Sequence, residues 1–239
     1  MGDREEATRL WSLVSQGDDV GLVMSLSGRP LPTSSLQLIG DGLLAALHLG
    51  IEGSPDLART LVTALEERSW DGDRELTEAL NAALGTGPTL MLRPLPVDLE
   101  EFAEILEGDP VYGGGRIDLA TGEVWPQPAI DYAEETGEIE ENDDDPDRWL
   151  RVHCEGSNDG YHDMEQFIAD LDDASFADRM AHAISGRGAF RRFKDRLSER
   201  PELMTRWYEF ANDRQRGRAR QWLATEGFTP VRRPGDVVE

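Results

Sequence analysis

A chain of 239 residues is long enough for one large domain or two small ones, and 38% hydrophobic residues is ordinary for a globular protein. A formal net charge of −24 disfavours nucleic acid and anionic membranes as partners if it is evenly spread. The single cysteine, Cys154, excludes an internal disulfide, and neither a signal peptide nor an apolar run of membrane-spanning length is predicted. We therefore expect a cytoplasmic protein that has no contact with a membrane.

The first 88 residues are predicted to form an all-helical module. Gly40 and Gly42 fall within its third helix, where they either weaken the helix or permit a neighbouring helix to approach closely. A glycine- and proline-rich stretch ends the module, so residues 1–88 form a separate helical extension. Apolar residues recur at helical spacing over about 3–16, 18–26, 33–52, 55–65 and 73–84.

The composition changes at Thr89, and short strand-like segments follow. The prolines of residues 89–96 favour an edge strand or an extended connector. After it, Asp98 is predicted to cap a helix that ends at Leu106. The C-terminal part is thus predicted to begin with one extended segment and one capped helix.

A β-hairpin is predicted next. Residues 115–119 and 123–126 should pair antiparallel, since Gly122 supplies the positive φ that a short hairpin loop needs. Residues 131–147 contain ten acidic residues and no basic residue, which predicts a solvated, mobile loop. Residues 148–154 then give a third strand.

The rest of the chain is predicted to be helical up to a short tail. Residues 229–239 are expected to be extended or frayed. The whole is predicted to be an α+β protein, in which the helical module precedes a domain of about three antiparallel strands and four to five helices. The last four helices are expected over about 161–172, 175–184, 188–200 and 201–225.

The charge is unevenly distributed along the chain. Residues 1–185 contain 11 basic and 40 acidic residues, a net charge of −29, whereas residues 186–239 contain 13 and 8, a net charge of +5. A basic C-terminal quarter on an acidic body has two interpretations. Either the two parts neutralise each other within the molecule, or the basic part faces an anionic partner.

The segment GRGAFRRFKDRL, residues 186–197, starts this basic region. At 100° per residue Phe190, Phe193 and Leu197 share one stripe, which predicts that they are buried in the core. The outer arc of the same helix is basic. It carries Arg191, Arg192 and Arg196.

The second half of the last helix carries four more arginines. Its apolar stripe of Trp207 and Phe210, which we expect in the core, continues into Arg214 and Arg218. A buried stripe rarely becomes arginine unless it leaves the core or meets carboxylates. We expect Gly217 to loosen this part of the helix. The opposite side carries Arg216 and Arg220.

Several segments together resemble a known family, the bacterial uncharacterised protein family 0158. They are VDLEEFAEILEG, IDLATGEVWP, the acidic run before DPDRWLRV, and GRGAFRRFKDRL followed at the right distance by RWYEF and QWL. The resemblance covers about residues 97–228 and leaves residues 1–88 outside. It implies an α+β domain for residues 89–228 and carries over no catalytic residue, because the activity of the family is not established.

No motif for metal binding or nucleophilic catalysis is present: CxxC, HExxH and GxSxG are all missing. His153 and Cys154 are neighbours on a predicted strand, so their side chains project to opposite faces and do not form a dyad. The acidic run lacks the alternating ligands and the glycine turn of a calcium loop. We predict no metal, no cofactor and no catalytic residue.

The leading hypothesis is a non-enzymatic interaction protein that contacts RNA, DNA or an acidic protein through its basic C-terminal helices. An alternative is a structural or regulatory protein–protein module whose basic helices pair with its own acidic surface. A third is an enzyme, which a cavity lined by carboxylates with His162 or His182 would favour. The predicted partner-binding residues are Arg187, Arg191, Arg192, Arg196, Arg214, Arg216, Arg218 and Arg220.

Overall fold

The structure is a computed structural model, and it describes residues 2–108, 111, 113–138 and 145–233, with the side chains of residues 2–4 excepted. The N-terminal part is all-helical, as the apolar spacing predicts. Its helices are α1 (Gly2–Ser15), α2 (Asp19–Leu26), α3 (Leu36–His48), α4 (Ser54–Arg68) and α5 (Asp73–Ala83).

These five helices enclose a hydrophobic core of their own, centred on residues such as Ile39, Leu43 and Leu61, which are fully buried. The two glycines of α3 allow the helices to approach closely. A Cβ atom at Gly40 would lie 2.4 Å from Leu76 of α5, and one at Gly42 would lie 2.2 Å from a side chain of α2. Close packing is therefore the role of both glycines.

The remaining described residues form six helices and two small sheets, so the α+β class is confirmed. The order is β1 (Arg93–Leu95), α6 (Leu99–Leu106), β2 (Gly115–Asp118), β3 (Val124–Pro126), α7 (Gln127–Thr136), β4 (Trp149–Val152), α8 (Asn158–Ala169), α9 (Ala174–Ile184), α10 (Ala189–Leu197), α11 (Pro201–Thr225) and β5 (Phe228–Pro230). Asp98 caps α6 as predicted, since its carboxylate accepts hydrogen bonds from the backbone amides of Glu100 and Glu101.

The predicted antiparallel sheet is present, with strand order β3-β2-β4. Ile117 of β2 lies opposite Val124 on one side and Leu150 on the other. Gly122 adopts a φ of +72°, and a Cβ atom there would lie 1.9 Å from the carbonyl oxygen of Pro96. The hairpin therefore requires glycine for its turn and for its contact with the preceding connector.

The start of the predicted tail is extended, but it is a strand rather than a free end: Phe228–Pro230 form β5 and pair in parallel with β1. The amide of Arg93 donates to Gly227, and the amide of Val231 donates to Leu95, each at 2.9 Å. Two short segments separated by more than 130 residues thus satisfy each other's backbone groups, a pairing that no local pattern reveals. Residues 234–239 of the predicted tail lie outside the described residues.

The acidic segment is also not a loop throughout. Its first residues belong to α7, which begins with Pro128 in its first turn and buries Ile130 and Ala133. Proline is well tolerated at this position because the first helical amides have no partner within the helix. The structure corrects the predicted loop at 131–136, and residues 139–144 lie outside the described residues.

Helix α11 lies at the centre of the molecule and contacts α3, α5, α6, α8 and α10. Trp207 and Phe210 are buried, as predicted, in an aromatic cluster with Phe167 of α8 and Phe193 of α10. Phe190, which was expected in the same stripe, is instead 37% exposed at the edge of this cluster, beside Gly160 of α8. Helix α11 thus contacts both the helical module and the C-terminal helices.

Candidate functional site

The four arginines of the second half of α11 alternate along the sequence, and the helix divides them into two pairs on opposite sides. Arg214 and Arg218 face α8 and α6, whereas Arg216 and Arg220 face α3 and α6. Arg216, Arg218 and Arg220 are buried, with residue exposures of 7%, 8% and 2%. These three guanidinium groups are therefore not on the outer surface, which corrects the expectation that they form part of an exposed contact surface.

On the α8 side, Arg218 makes the most complete set of contacts. Its Nε and Nη2 atoms donate to the two carboxylate oxygens of Glu107 at 2.6 and 3.0 Å, and Nη2 also donates to Asp163 at 2.8 Å. Arg214 donates from Nε to the same Asp163 at 2.9 Å. Burial disfavours the charge on Arg218, but the hydrogen bonds to Glu107 and Asp163 outweigh it and raise the pKa of the guanidinium.

On the α3 side, Asp41 accepts from two arginines. Arg216 lies 3.3 Å from its carboxylate and also donates to Glu100 of α6 at 3.0 Å. Arg220 donates to Asp41 at 2.5 Å and to the side-chain oxygen of Gln37 at 2.8 Å. Both acceptors on α3 belong to the N-terminal module, so these arginines join the two parts of the chain.

A second set of contacts crosses the same boundary with the charges reversed. Asp213 of α11 accepts a hydrogen bond from Arg68 at the end of α4 and another, 2.7 Å long, from the backbone amide of Gln37. Arg68 is also held by Asp73, at 2.6 and 2.9 Å. Burial raises the pKa of Asp213 above its usual value, and the positive charge of Arg68 opposes this shift.

The backbones of the two parts meet between these charged groups. Gly72 has a φ of +77°, and a Cβ atom on it would lie 2.1 Å from the carbonyl oxygen of Gly217. A Cβ atom on Gly217 would lie 2.1 Å from the carbonyl oxygen of Asp71. Gly217 was expected to loosen α11, but its role is to let the turn before α5 rest directly on the helix.

The basic residues of α10 have different surroundings from those of α11, and Arg192 contacts backbone carbonyls rather than carboxylates. Arg192 donates to the carbonyl oxygens of Ala183 at 2.6 Å and Ser185 at 2.9 Å, and to two carbonyls of the following turn. Ala183 lies in the last turn of α9 and Ser185 is its C-cap residue, so Arg192 caps the end of α9. It belongs to the fold rather than to the outer arc that the helical spacing predicts.

The remaining predicted residues of α10 and its preceding turn are on the surface. Arg187 and Arg191 are exposed, and the side chain of Arg191, 89% exposed, lies 3.9 Å from Asp195. Arg196 is about half exposed and pairs with Glu199 at 3.0 Å. Lys194, also exposed, lies one helical turn after Phe190 and Arg191. Arg187, Phe190, Arg191 and Lys194 form what we call the α10 face.

A cavity of about 660 Å³ lies between α9 and α10. His182 lines it together with Asp178, Asp195 and Glu199, the combination that the enzyme hypothesis requires. The Nδ1 atom of His182, however, lies 2.7 Å from the backbone oxygen of Asp178 one turn earlier. His162 lies elsewhere, exposed on α8 with Glu165 at 2.9 Å. In the part of the chain that the structure describes, no three metal-ligating side chains come together.

The sequence did not lead us to the carboxylates that accept hydrogen bonds from these arginines. Asp163 carried the clearest signal, since it precedes Met164 on the face of α8 that also buries Phe167, where a solvated carboxylate is not expected. Asp213 lies one turn after the buried aromatic residues of α11 and carried a similar signal. Asp41 and Arg68 had none, because their roles depend on a helix far away in the sequence.

Across the described residues, no helix combines the length and the apolar composition that crossing a bilayer requires.

Comparison with solved structures finds no match. Among curated proteins, the UPF0158 protein PA5073 of Pseudomonas aeruginosa (strain PAO1) is 28% identical over 148 residues, which cover 59% of this chain and 90% of that protein. The model of the uncharacterised protein family UPF0158 matches residues 92–236 and leaves the helical module outside. With more than half of its length matched by that model, this chain belongs to the UPF0158 family.

Proposed function

We propose that this chain is a non-enzymatic structural or regulatory protein–protein interaction protein, located in the cytoplasm, whose basic helix α11 pairs with acidic elements of the same chain. One observation supports this most strongly: each arginine in the second half of α11 donates to a carboxylate of the chain. The closest pairs are Arg214–Asp163 at 2.9 Å, Arg216–Glu100 at 3.0 Å, Arg218–Glu107 at 2.6 Å and Arg220–Asp41 at 2.5 Å.

Internal pairing changes the charge that the protein presents to a partner. The four arginines in the second half of α11 account for much of the basic excess of the C-terminal quarter, and they pair with carboxylates of the same chain. The outer surface is then dominated by the acidic residues that give the chain its net charge of −24. Such a surface repels nucleic acid and favours a protein partner with cationic groups at its contact surface.

The α10 face supports a second candidate, contact with RNA, DNA or an acidic protein. Arg187, Arg191 and Lys194 are exposed around the partly exposed ring of Phe190. Cations beside an aromatic ring suit a nucleic acid, because they neutralise phosphates while the ring stacks on a base. Of the eight predicted partner-binding residues, Arg187, Arg191 and Arg196 are the ones to which this candidate still applies.

Nucleic-acid binding separates the two candidates. The full chain and a variant with Arg187, Arg191 and Lys194 changed to Glu are titrated with fluorescent generic RNA and DNA at low and raised salt. If the chain is a protein–protein interaction protein, neither protein is expected to bind RNA or DNA, even at low salt. Binding that weakens with salt and disappears in the triple variant contradicts it and supports the second candidate. A variant with Arg9, Arg29 and Arg59 changed to Glu, all exposed on the helical module, makes the same change in net charge and is the control.

A pull-down from the source cell, with and without nuclease, tests the proposal from the partner side. A protein that the full chain retains equally in both samples supports a protein–protein role. Retention that nuclease abolishes for every captured protein shows that the contacts run through nucleic acid and contradicts the proposal.

A further inference from the structure

The helical module and the UPF0158 domain do not share a hydrophobic core. One core cluster consists only of residues from the module, among them Leu10 and Leu80. The other two clusters consist of residues from Leu95 onward, with Trp70 as the single module side chain packed against them among the described residues. Apart from the ring of Trp70, which packs against Phe210 with ring centroids 5.3 Å apart, each part buries its own apolar residues, and charged and polar contacts hold the rest of the boundary.

Ion pairs cross the boundary, and each part supplies both arginines and carboxylates to them. From the domain side, Arg216 and Arg220 reach Asp41 of the module, and Arg232 binds Asp19 through two hydrogen bonds of 2.7 Å. From the module side, Arg68 reaches the buried Asp213 of α11. Contacts within a chain that are polar rather than apolar resemble transient protein–protein interfaces.

The surface of α11 at this boundary has a defined shape and charge pattern. Gly217 leaves room for another backbone to lie directly on the helix, and the turn at Gly72 occupies that room. Asp213 on one side of this point requires a cation, and Arg216 and Arg220 require a carboxylate. A partner that fits is a helical surface with an acidic residue, a basic residue and a tight glycine turn in the same arrangement.

The connection between the two parts allows them to separate. Residues 84–92 join α5 to β1 without a helix or strand, and Met91 is 95% exposed. Fully extended, nine residues span about 30 Å, enough for the module to leave α11 while it remains tethered.

We propose that the face of α11 formed by Asp213, Arg216, Gly217 and Arg220 is a protein-docking surface of the UPF0158 domain, and that residues 2–88 are its partner, carried on the same chain. This inference rests on the proposed protein–protein function. The module docks and leaves as a folded unit, because separation exposes charged groups that water solvates well instead of an apolar core.

Cleavage between the two parts tests this in the full chain. A protease site is inserted between Thr89 and Leu90, in the connector, and the folded protein is cut there. In size-exclusion chromatography the fragments are expected to co-elute at high protein concentration and to elute separately after dilution, because a polar contact of this kind is reversible. Each separated fragment is expected to keep its helical circular dichroism, and the fragments are expected to rejoin when they are concentrated.

A variant with Asp41→Asn gives a second measurement. Asp41 lies on α3 with its side chain 25% exposed and accepts from both Arg216 and Arg220. In the cut protein this change is expected to raise the dissociation constant of the fragments about tenfold or more. Asp56→Asn, on α4 with its side chain 91% exposed, is the matched control and is expected to leave it unchanged.

Four results overturn the inference: fragments that do not associate at high concentration, fragments that stay together at every dilution, fragments that lose their helical signal when they part, and a dissociation constant that Asp41→Asn leaves unchanged. Each shows that residues 2–88 are either not docked or an inseparable part of one folding unit. Binding of nucleic acid by the α10 face contradicts the proposed function without affecting these results, so the two failures are distinguishable.

Discussion

Helices α10 and α11 come from the same basic quarter of the chain, yet they use their arginines in opposite ways. In α11 the guanidinium groups of Arg216, Arg218 and Arg220 are buried and paired with carboxylates of distant elements. In α10 the side chain of Arg191 is 89% exposed, and its closest acidic neighbour lies on the same helix. A count of arginines does not distinguish the two helices.

The neighbouring elements make the difference. Helix α11 lies between α3, α6 and α8, each of which supplies a carboxylate where an arginine arrives. Helix α10 packs one face against α9 and α11 and leaves the other to solvent. A buried arginine is stable only where its charge is paired, so the positions of distant acids decide whether a basic helix is internal or external.

The largest loss of stability is expected when a carboxylate that pairs with the arginines of α11 is removed. Asp163→Ala removes the buried carboxylate that Arg214 and Arg218 share and leaves their charges undercompensated. We expect the free energy of unfolding to fall by about 3–5 kcal/mol, measured by urea denaturation. Glu165→Ala, at an exposed position on the same helix, is the control, with an expected change of about 0.5 kcal/mol. A loss below about 1 kcal/mol for Asp163→Ala would show that the buried network adds little to stability.

Adjacent arginines on α10 sharpen the comparison within one helix. Arg192→Met removes the hydrogen bonds that cap the end of α9 and is expected to cost about 1–2 kcal/mol. Arg191→Met, one residue earlier and exposed, is expected to change stability by less than about 0.5 kcal/mol. Thermal unfolding of the two variants side by side measures both. Equal losses of stability in the two variants would mean that the capping hydrogen bonds of Arg192 add nothing beyond what an exposed arginine contributes.

The smallest effect concerns the corner where α9 follows α8 and α11 begins. The hydrogen bond from Arg200, with one from the backbone amide of Phe176, lowers the pKa of Asp173. A carboxyl whose pKa is lower in the folded state stabilises it above the unfolded pKa of about 3.9, and this contribution is lost as the pH falls through the folded pKa. The difference in stability between the wild type and Asp173→Asn should therefore be present at pH 7 and disappear in strong acid.

Urea denaturation of both proteins from neutral to acidic pH measures that difference. Asp172→Asn, at the neighbouring position, is the control. A difference that persists unchanged into strong acid would mean that the Arg200–Asp173 pair does not contribute through the charge of Asp173.

Much of the fold could be predicted because it depends on local physical chemistry. Apolar spacing located the helices of the module and the C-terminal helices, Gly122 located the hairpin turn, and Asp98 located the start of α6. Helix α7 was missed because its acidic composition outweighed the weaker helical signal of Ile130 and Ala133. Strand β5 was missed because its partner is β1, and pairing across the chain leaves no mark in a single segment.

The candidate site divides in the same way. The sequence by itself determined that α11 turns from an aromatic stripe to arginines on both sides, and that such a stripe either leaves the core or meets carboxylates. Only the tertiary structure decided between these outcomes, by bringing Asp41, Glu107 and Asp163 to α11 from three separate helices or helix ends. Periodicity reports which residues share a face, whereas the charge that this face meets depends on elements far away along the chain.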